Sequence, residues 1–147
     1  MSASDQVRTE QQLVDTMLQL ARATASHRII VAGSESFDIY LDLLHRGFSR
    51  SAMAATCRIP CGQHDTALVV ERHSPKNLEA LLLRAVPFLK PQAILVLWVG
   101  SRQGQGGAKP EQMLERLGFR IEAGTKCDNG FVLSARRGEC SQMAIAA

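Results

Sequence analysis

Short, β-branched apolar runs alternate along this chain with stretches whose apolar residues recur at helical spacing. RIIVAG (28–33), TALVVE (66–71) and AILVLWVG (93–100) are near-continuous apolar runs with no polar alternation. Runs of this length and composition predict strands buried on both faces, as in a parallel sheet. MAATCRI (53–59) reads as a weaker strand, followed by a turn at PCGQHD (60–65). Between the strands the period changes. Leu13, Met17, Leu20 and Ala21 predict a first helix, with Thr9 and Gln12 as its capping pair and an end near Ala25. Phe37, Tyr40, Leu41, Leu44 and Phe48 trace a second helix, stopped at Gly47.

A third helix opens at Ser74-Pro75, a hydroxyl cap followed by a ring whose missing N–H costs nothing in the first turn. Leu78, Leu81, Leu82, Ala85 and Leu89 form its buried stripe, and Pro87 is expected to kink or tighten its last turn. SRQGQGGAK (101–109) is a glycine-rich loop, predicted to be mobile over a site. Pro110 opens a short helix that ends at Gly118. FRIEAGTK (119–126) and GFVLSARR (130–137) predict a closing antiparallel pair that turns at Asp128-Asn129-Gly130.

Strands thus alternate with helices until a final hairpin. That order predicts an α/β three-layer sandwich: a mostly parallel, doubly wound sheet with right-handed crossovers and a C-terminal antiparallel hairpin. The 147 residues suit one domain spanning 1–147, with a core of about 10–137 and a tail of 138–147. No internal repeat or interdomain linker interrupts them.

Composition narrows the functional classes. No apolar stretch is long enough for a membrane span, and the polar N-terminus MSASDQVRTEQQ lacks a secretory core, so a cytoplasmic location is expected. The excess of 17 Lys+Arg over 14 Asp+Glu is mild and scattered, with one Trp, one Tyr and five Phe. No dense basic face interleaved with aromatics is present, which argues against nucleic acid as a partner. Cys57 and Cys61 are spaced too widely for a C-x-x-C motif. With His64 they make a conceivable metal set, but no well-spaced fourth ligand follows. The preferred reading is a buried Cys57 and a turn Cys61, with no metal assigned.

HDTALVVERHSPKNLEALLLRAVPFLKPQAILVLWVGS (64–101) resembles the second half of a class I S-adenosylmethionine-dependent methyltransferase. In that family an Asp opens the fourth strand, a helix ends in a Leu-Lys-Pro stop, and a hydrophobic fifth strand follows. Asp65 and Leu89-Lys90-Pro91 hold the matching places here. MLERLGFRIEAG and GFVLSARR resemble the family's last helix and strands, so the likeness spans roughly residues 10–137. It implies the Rossmann-like methyltransferase fold in a shortened, divergent form, with S-adenosylmethionine as the cofactor if one is kept. The positions implied to face it are Gly33, Ser34, Glu35, Ser36, Arg58, Asp65 and Glu71.

Three departures weaken that implied site. The family's first strand leads into a Gly-x-Gly-x-Gly turn whose bare backbone lets the cofactor approach. In VAGSES only Gly33 matches, and Glu35 adds bulk and negative charge near the second glycine's place. The second strand usually ends in an acid that accepts from the ribose hydroxyls; AATCRIP offers Cys57 and Arg58, and an arginine accepts nothing. The chain also passes from AATCRIP to TALVVE without the helix and strand that normally intervene.

In a parallel sheet ligands sit beyond the carboxyl ends of the strands, here Gly33–Ser36, Glu71–Ser74 and Ser101–Gln103. His73 is the candidate for acid–base work, although the same place suits a surface histidine. Ser34 and Ser36 equally serve as helix caps, with Asp38 in the first turn. The glycine-rich loop fails the G-x-x-x-x-G-K-[ST] phosphate pattern, because Lys109 is followed by Pro110. Two readings stay open: a divergent methyltransferase-like protein with weak or lost cofactor binding, or a non-catalytic binding or oligomerisation module. An apolar patch left by the missing elements would suit a homodimer.

Overall fold

The computed structural model describes residues 3–33, 36–71, 76–100, 110–127 and 130–138. Helix α1 (Ala3–Ala21) leads to β1 (Ile29–Gly33), α2 (Ser36–His45), β2 (Ser51–Met53) and β3 (His64–Glu71). Helix α3 (Lys76–Ala85) and a 3-10 turn (Val86–Phe88) follow, then β4 (Leu89–Gly100), α4 (Pro110–Arg116), β5 (Phe119–Cys127) and β6 (Gly130–Arg137). The six strands form one sheet in the order β2-β1-β3-β4-β6-β5. The first four run parallel, and β6 is antiparallel to both β4 and β5. This is the expected mixed sheet with its closing hairpin.

Why the central strands read as unbroken apolar runs is plain from their two faces. Ile29, Val31, Leu68, Val70, Val96 and Trp98 pack against Leu13, Met17, Ile39 and Leu43 of α1 and α2. The alternate residues Ile30, Ala32, Ala67, Val69, Leu95 and Leu97 pack against Leu78, Leu82, Met113 and Leu114 of α3 and α4. Both faces are dry, so polar alternation has no place in these strands. Each fully buried aliphatic side chain contributes about 1.5–3 kcal/mol.

Helix ends follow local rules. Gly47 (φ 95°) stops α2 as a left-handed cap: the Phe48 N–H donates to Leu43 O at 2.9 Å and the Gly47 N–H to Leu44 O at 3.1 Å. The same paired bonds end α1, from Ala23 to Leu18 and from Arg22 to Gln19, with Arg22 (φ 54°) in the glycine place. This cap ends α1 four residues before the expected Ala25. Arg46 then ties the two helices together, bonding Asp42 through Nε at 3.0 Å and Asp15 of α1 through Nη1.

Several expectations are corrected. Helix α1 starts at Ala3, so Thr9 lies inside it and is not its cap. On α2 the residues turned to the sheet are Ile39 and Leu43, while Phe37 and Leu41 are 56% and 37% exposed. The expected strand 53–59 is instead Ser51–Met53, because the chain turns at once, the Thr56 N–H donating to Met53 O. Leu89 belongs to β4, and Pro87 lies in the 3-10 turn that closes α3 early. The Ser74-Pro75 cap, the loop 101–109, the turn residues Asp128 and Asn129 and the tail from 139 lie outside the described residues.

The chain leaves β1 toward β2 on one side and leaves β3 toward β4 on the other, so β1 and β3 flank a topological switch point. Their backbones meet closely at its upper end. Gly33 has φ 106°, and a Cβ there would lie 1.9 Å from the Val70 carbonyl oxygen. Gly33→Ala is therefore expected to cost about 3 kcal/mol or more, from strained backbone plus displaced strand pairing. Urea denaturation checks this; a loss below about 1 kcal/mol would mean the strands separate freely there.

Candidate functional site

An open cleft of about 390 Å³ lies at this switch point, within the range of small-molecule sites. Its floor is the end of β1, Val31 to Gly33, together with Glu71 at the end of β3. Ser36 opens α2 on one rim. Ala80, Leu81 and Arg84 of α3 form one wall, and Ala54 and Ala55, just after β2, form the opposite one. Glu71, at the end of β3, is only 3% exposed. Arg84 is exposed on the rim. The arrangement offers an acceptor at the base, a cation at the edge and methyl groups between them.

Of the residues expected to face a cofactor, the structure brings Gly33, Ser36 and Glu71 together. Ser34, Glu35 and His73 lie outside the described residues. Asp65 is not brought to the cleft. It stands at the opposite, amino end of β3, where Thr66 is level with Ile29 while Val70 is level with Gly33. Arg58 is also away from the cleft. It is exposed and follows Cys57, whose Sγ sits beside His64 at that same amino end.

The bare Cα of Gly33 serves the fold first: the Val70 carbonyl occupies the space where a side chain would project. Where an acid is expected after the second strand, the cleft has Ala54 and Ala55. The strand ends at Met53, earlier than the sequence suggests, so these alanines take the place assigned to Cys57 and Arg58. Among the described residues, neither set supplies a carboxylate acceptor there. Sequence reasoning missed Arg84 and Leu81 as cleft residues. The signal was the helical stripe Ala80, Leu81, Arg84, which runs beside the buried stripe Leu78, Leu82, Ala85.

The amino ends of the strands are tightly held. Asp65 Oδ2 accepts from the Arg28 N–H at 2.9 Å, the Arg28 carbonyl accepts from the Asp65 N–H at 2.9 Å, and Lys90 Nζ donates to Asp65 Oδ1 at 2.9 Å. Partial burial pushes the Asp65 carboxyl up, but the Arg28 amide bond and the Lys90 charge outweigh it and hold the group below its usual range. His64 is fully buried, and that burial is the main cause lowering its pKa below 6.5, against the bond to Phe88 O. Among the described residues, no three His, Cys, Asp or Glu side chains are clustered to hold a metal as they stand, and no helix is long and apolar enough to cross a membrane.

Solved structures that share this fold include S-adenosylmethionine-dependent methyltransferases. A SAM-dependent methyltransferase from Aquifex aeolicus superposes with TM-score 0.59 at 11% identity, over 88% of this chain and 90% of that one. The Burkholderia thailandensis 1,6-didemethyltoxoflavin-N1-methyltransferase, solved with S-adenosylhomocysteine, gives 0.60 at 15% identity over 92% and 82%. The [4+2]-cyclase SpnF gives 0.57 at 16% over 87% and 80%. No protein-family model and no curated protein matches the sequence. The chain therefore has a shortened methyltransferase-like Rossmann fold. A cyclase on the same scaffold shows that the fold alone does not set the reaction.

Two windows of acid sensitivity follow from the lowered pKa values. An unfolded His64 gains its proton near pH 6.5 while the folded one does not, so its contribution is full above that pH and fades as pH falls below it. Asp65 acts the same way from about pH 4 downward. Denaturation midpoints measured from pH 8 to 3 should fall in both windows, and Asp65→Asn should flatten only the lower one. An unchanged lower window in that variant would remove Asp65 from the account.

Proposed function

We propose that this chain is a cytoplasmic, divergent S-adenosylmethionine-dependent methyltransferase-like protein whose switch-point cleft binds the cofactor weakly. The observation that carries the reading is the chemistry of the cleft. Among the described residues it has the volume and a buried carboxylate, Glu71, to hold the polar end of such a molecule. Among the described residues, the methyl groups of Ala54 and Ala55 stand where ribose hydroxyls would need an acceptor. Ribose hydroxyls left without partners keep their desolvation cost, so affinity falls while the shape is retained.

When bound, the cofactor supplies an electrophilic methyl group on a sulfonium. Glu71 would accept from its amino group or hydroxyls, Ser36 would bond at the rim, and Leu81 with the two alanines would cover its apolar faces. A proton acceptor for a methylation substrate would come from His73, the residue that follows the β3 end by two positions.

Isothermal titration with S-adenosylhomocysteine should give a dissociation constant weaker than about 10⁻⁴ M, or about −5.5 kcal/mol. Ala55→Asp restores an acceptor at an exposed position and should tighten binding about tenfold or more, as one charge-assisted hydrogen bond is worth about 1.5–3 kcal/mol. Glu71→Gln should weaken it by a similar factor. Low-micromolar binding by the unaltered chain, or no response to either substitution, would overturn the proposal.

The module reading is favoured by one observation. Phe37 and Leu41 lie one turn apart on α2 and are the exposed apolar residues of that helix. A homodimer through this face predicts dimers at micromolar concentration that Phe37→Ser with Leu41→Ser dissociates. Sedimentation showing only monomer in the unaltered chain would exclude it.

A further inference from the structure

Basic residues that are scattered along the sequence are gathered by the fold at the end of the sheet opposite the cleft. A second hollow, of about 180 Å³, opens there at the starts of β3 and β4, against the end of α1 at Ala21. Its volume is below that of drug-sized ligand sites and suits a small ion. The lining carries Lys90, Arg136 and His27 and, among the described residues, Asp65 as its carboxylate. Both Asp65 oxygens are engaged, Oδ2 by the Arg28 N–H and Oδ1 by Lys90, so this carboxylate needs no cation from solvent.

Donors are left over around it. Lys90 Nζ uses one of its three N–H bonds on Asp65. Arg136 uses Nε on Glu122 at 3.0 Å and one Nη1 hydrogen on the Gln92 carbonyl at 3.2 Å, out of five N–H donors. Gln92 has φ 66°, a left-handed conformation uncommon for a residue with a side chain, and its carbonyl fixes the guanidinium at the hollow. His27 Nδ1 accepts from the Thr24 N–H at 3.2 Å, so the ring proton sits on Nε2 as a further donor. Arg120 stands directly opposite Arg136 in the hairpin register, and Ile94, opposite Arg136 on its other side, lines the same hollow. Like charges in that relation repel. Glu122 offsets Arg136, but among the described residues no carboxylate pairs with the exposed Arg120. The end of α1 does not oppose an anion with bare carbonyls, because Leu18 O and Gln19 O accept from Ala23 and Arg22.

We propose that this hollow binds a phosphate-type oxyanion, free or as the phosphate group of a small ester, held by Lys90, Arg136 and His27 with Arg120 at its edge. A guanidinium presents paired N–H groups that match two oxygens of a phosphate, and the lysine adds a compact charge. An anion beside the Arg120–Arg136 pair also relieves the repulsion that the free protein carries there. Asp65 sets the position: it holds Lys90 and repels an anion near its own oxygens, so the ion lies toward Arg136. No bond is made or broken in this binding. The site is separate from the cleft and stands or falls independently of cofactor binding.

The full chain is titrated calorimetrically with inorganic phosphate, with NaCl holding the ionic strength constant. Saturable binding of one ion with a dissociation constant below about 10⁻³ M is expected, unchanged by added S-adenosylhomocysteine. Glycerol 3-phosphate separates the two sources: tighter binding assigns the site to an ester, equal or weaker binding to the free ion. Arg136→Gln should weaken binding at least about tenfold, the loss of one charge-assisted hydrogen bond. Arg120→Gln, at an exposed position, keeps the test readable if Arg136→Gln fails to fold. It should weaken binding by a similar factor and raise the Tm of the phosphate-free protein, since the like-charge pair is gone. Heat that does not saturate or that NaCl alone reproduces, displacement of phosphate by S-adenosylhomocysteine, or an affinity unchanged in Arg120→Gln would each overturn the proposal.

Discussion

The close approach of β1 to β3 at Gly33 is the contact on which the rest of the molecule depends. A parallel pair brings a strand's carbonyls against its neighbour's backbone, and at Gly33 the Val70 carbonyl leaves no room for a side chain. The two strands leave that point toward opposite edges of the sheet, so a crevice opens where they diverge. The cleft is thus a consequence of the strand order and survives any change in what lines it. Packing of the sheet demands apolar residues on both faces, whereas holding a ligand demands polar groups at a few strand ends. The two demands fall on different positions and can drift apart.

That separation explains an apparent conflict at this glycine. A glycine after the first strand invites the reading that a cofactor lies against it. Here the bare Cα is already required by the neighbouring strand, so Gly33 is no evidence for a ligand. Glu71 is different. A carboxylate 3% exposed has no packing reason to replace Val or Leu, its neighbours along β3. A buried polar group needs partners to offset its desolvation, and a strand end that borders an open cleft lets a ligand supply some of them. The weight of the functional reading rests on Glu71 and on the alanines across from it.

How much of this was legible beforehand tracks the range of the forces involved. Buried central strands declare themselves, because both faces must be apolar, and β1, β3 and β4 were readable as runs. Gly47 was readable as a stop because its left-handed cap is local. Helix α2 misled, since Phe37 and Leu41 sit at helical spacing yet face outward; a stripe gives a period, and its phase is set by where the helix meets the sheet. Strand β2 was overread because an edge strand lasts only while its partner holds it, and the turn at Thr56 ends it early. Asp65 opens its strand as the resemblance implied, but register places it far from the cleft. Arg84 went unseen because it is level with Glu71 only after α3 folds back over the sheet.

The two ends of the parallel strands then divide the work. At the amino end, Asp65 joins Arg28 of the preceding segment to Lys90 of β4, and His64 is held by the carbonyl of Phe88. These bonds link residues 24 to 37 positions apart, so they close long loops and become available only when the sheet is assembled. The carboxyl end, by contrast, has an open cleft and apolar alanines on one wall. The long-range bonds lie at the amino end and do not crowd the cleft. Apart from Gly33, which the strand pairing itself requires, the residues that line the cleft lie away from these long-range bonds, so positions such as Ala54 and Ala55 can change the cleft's affinity without breaking them.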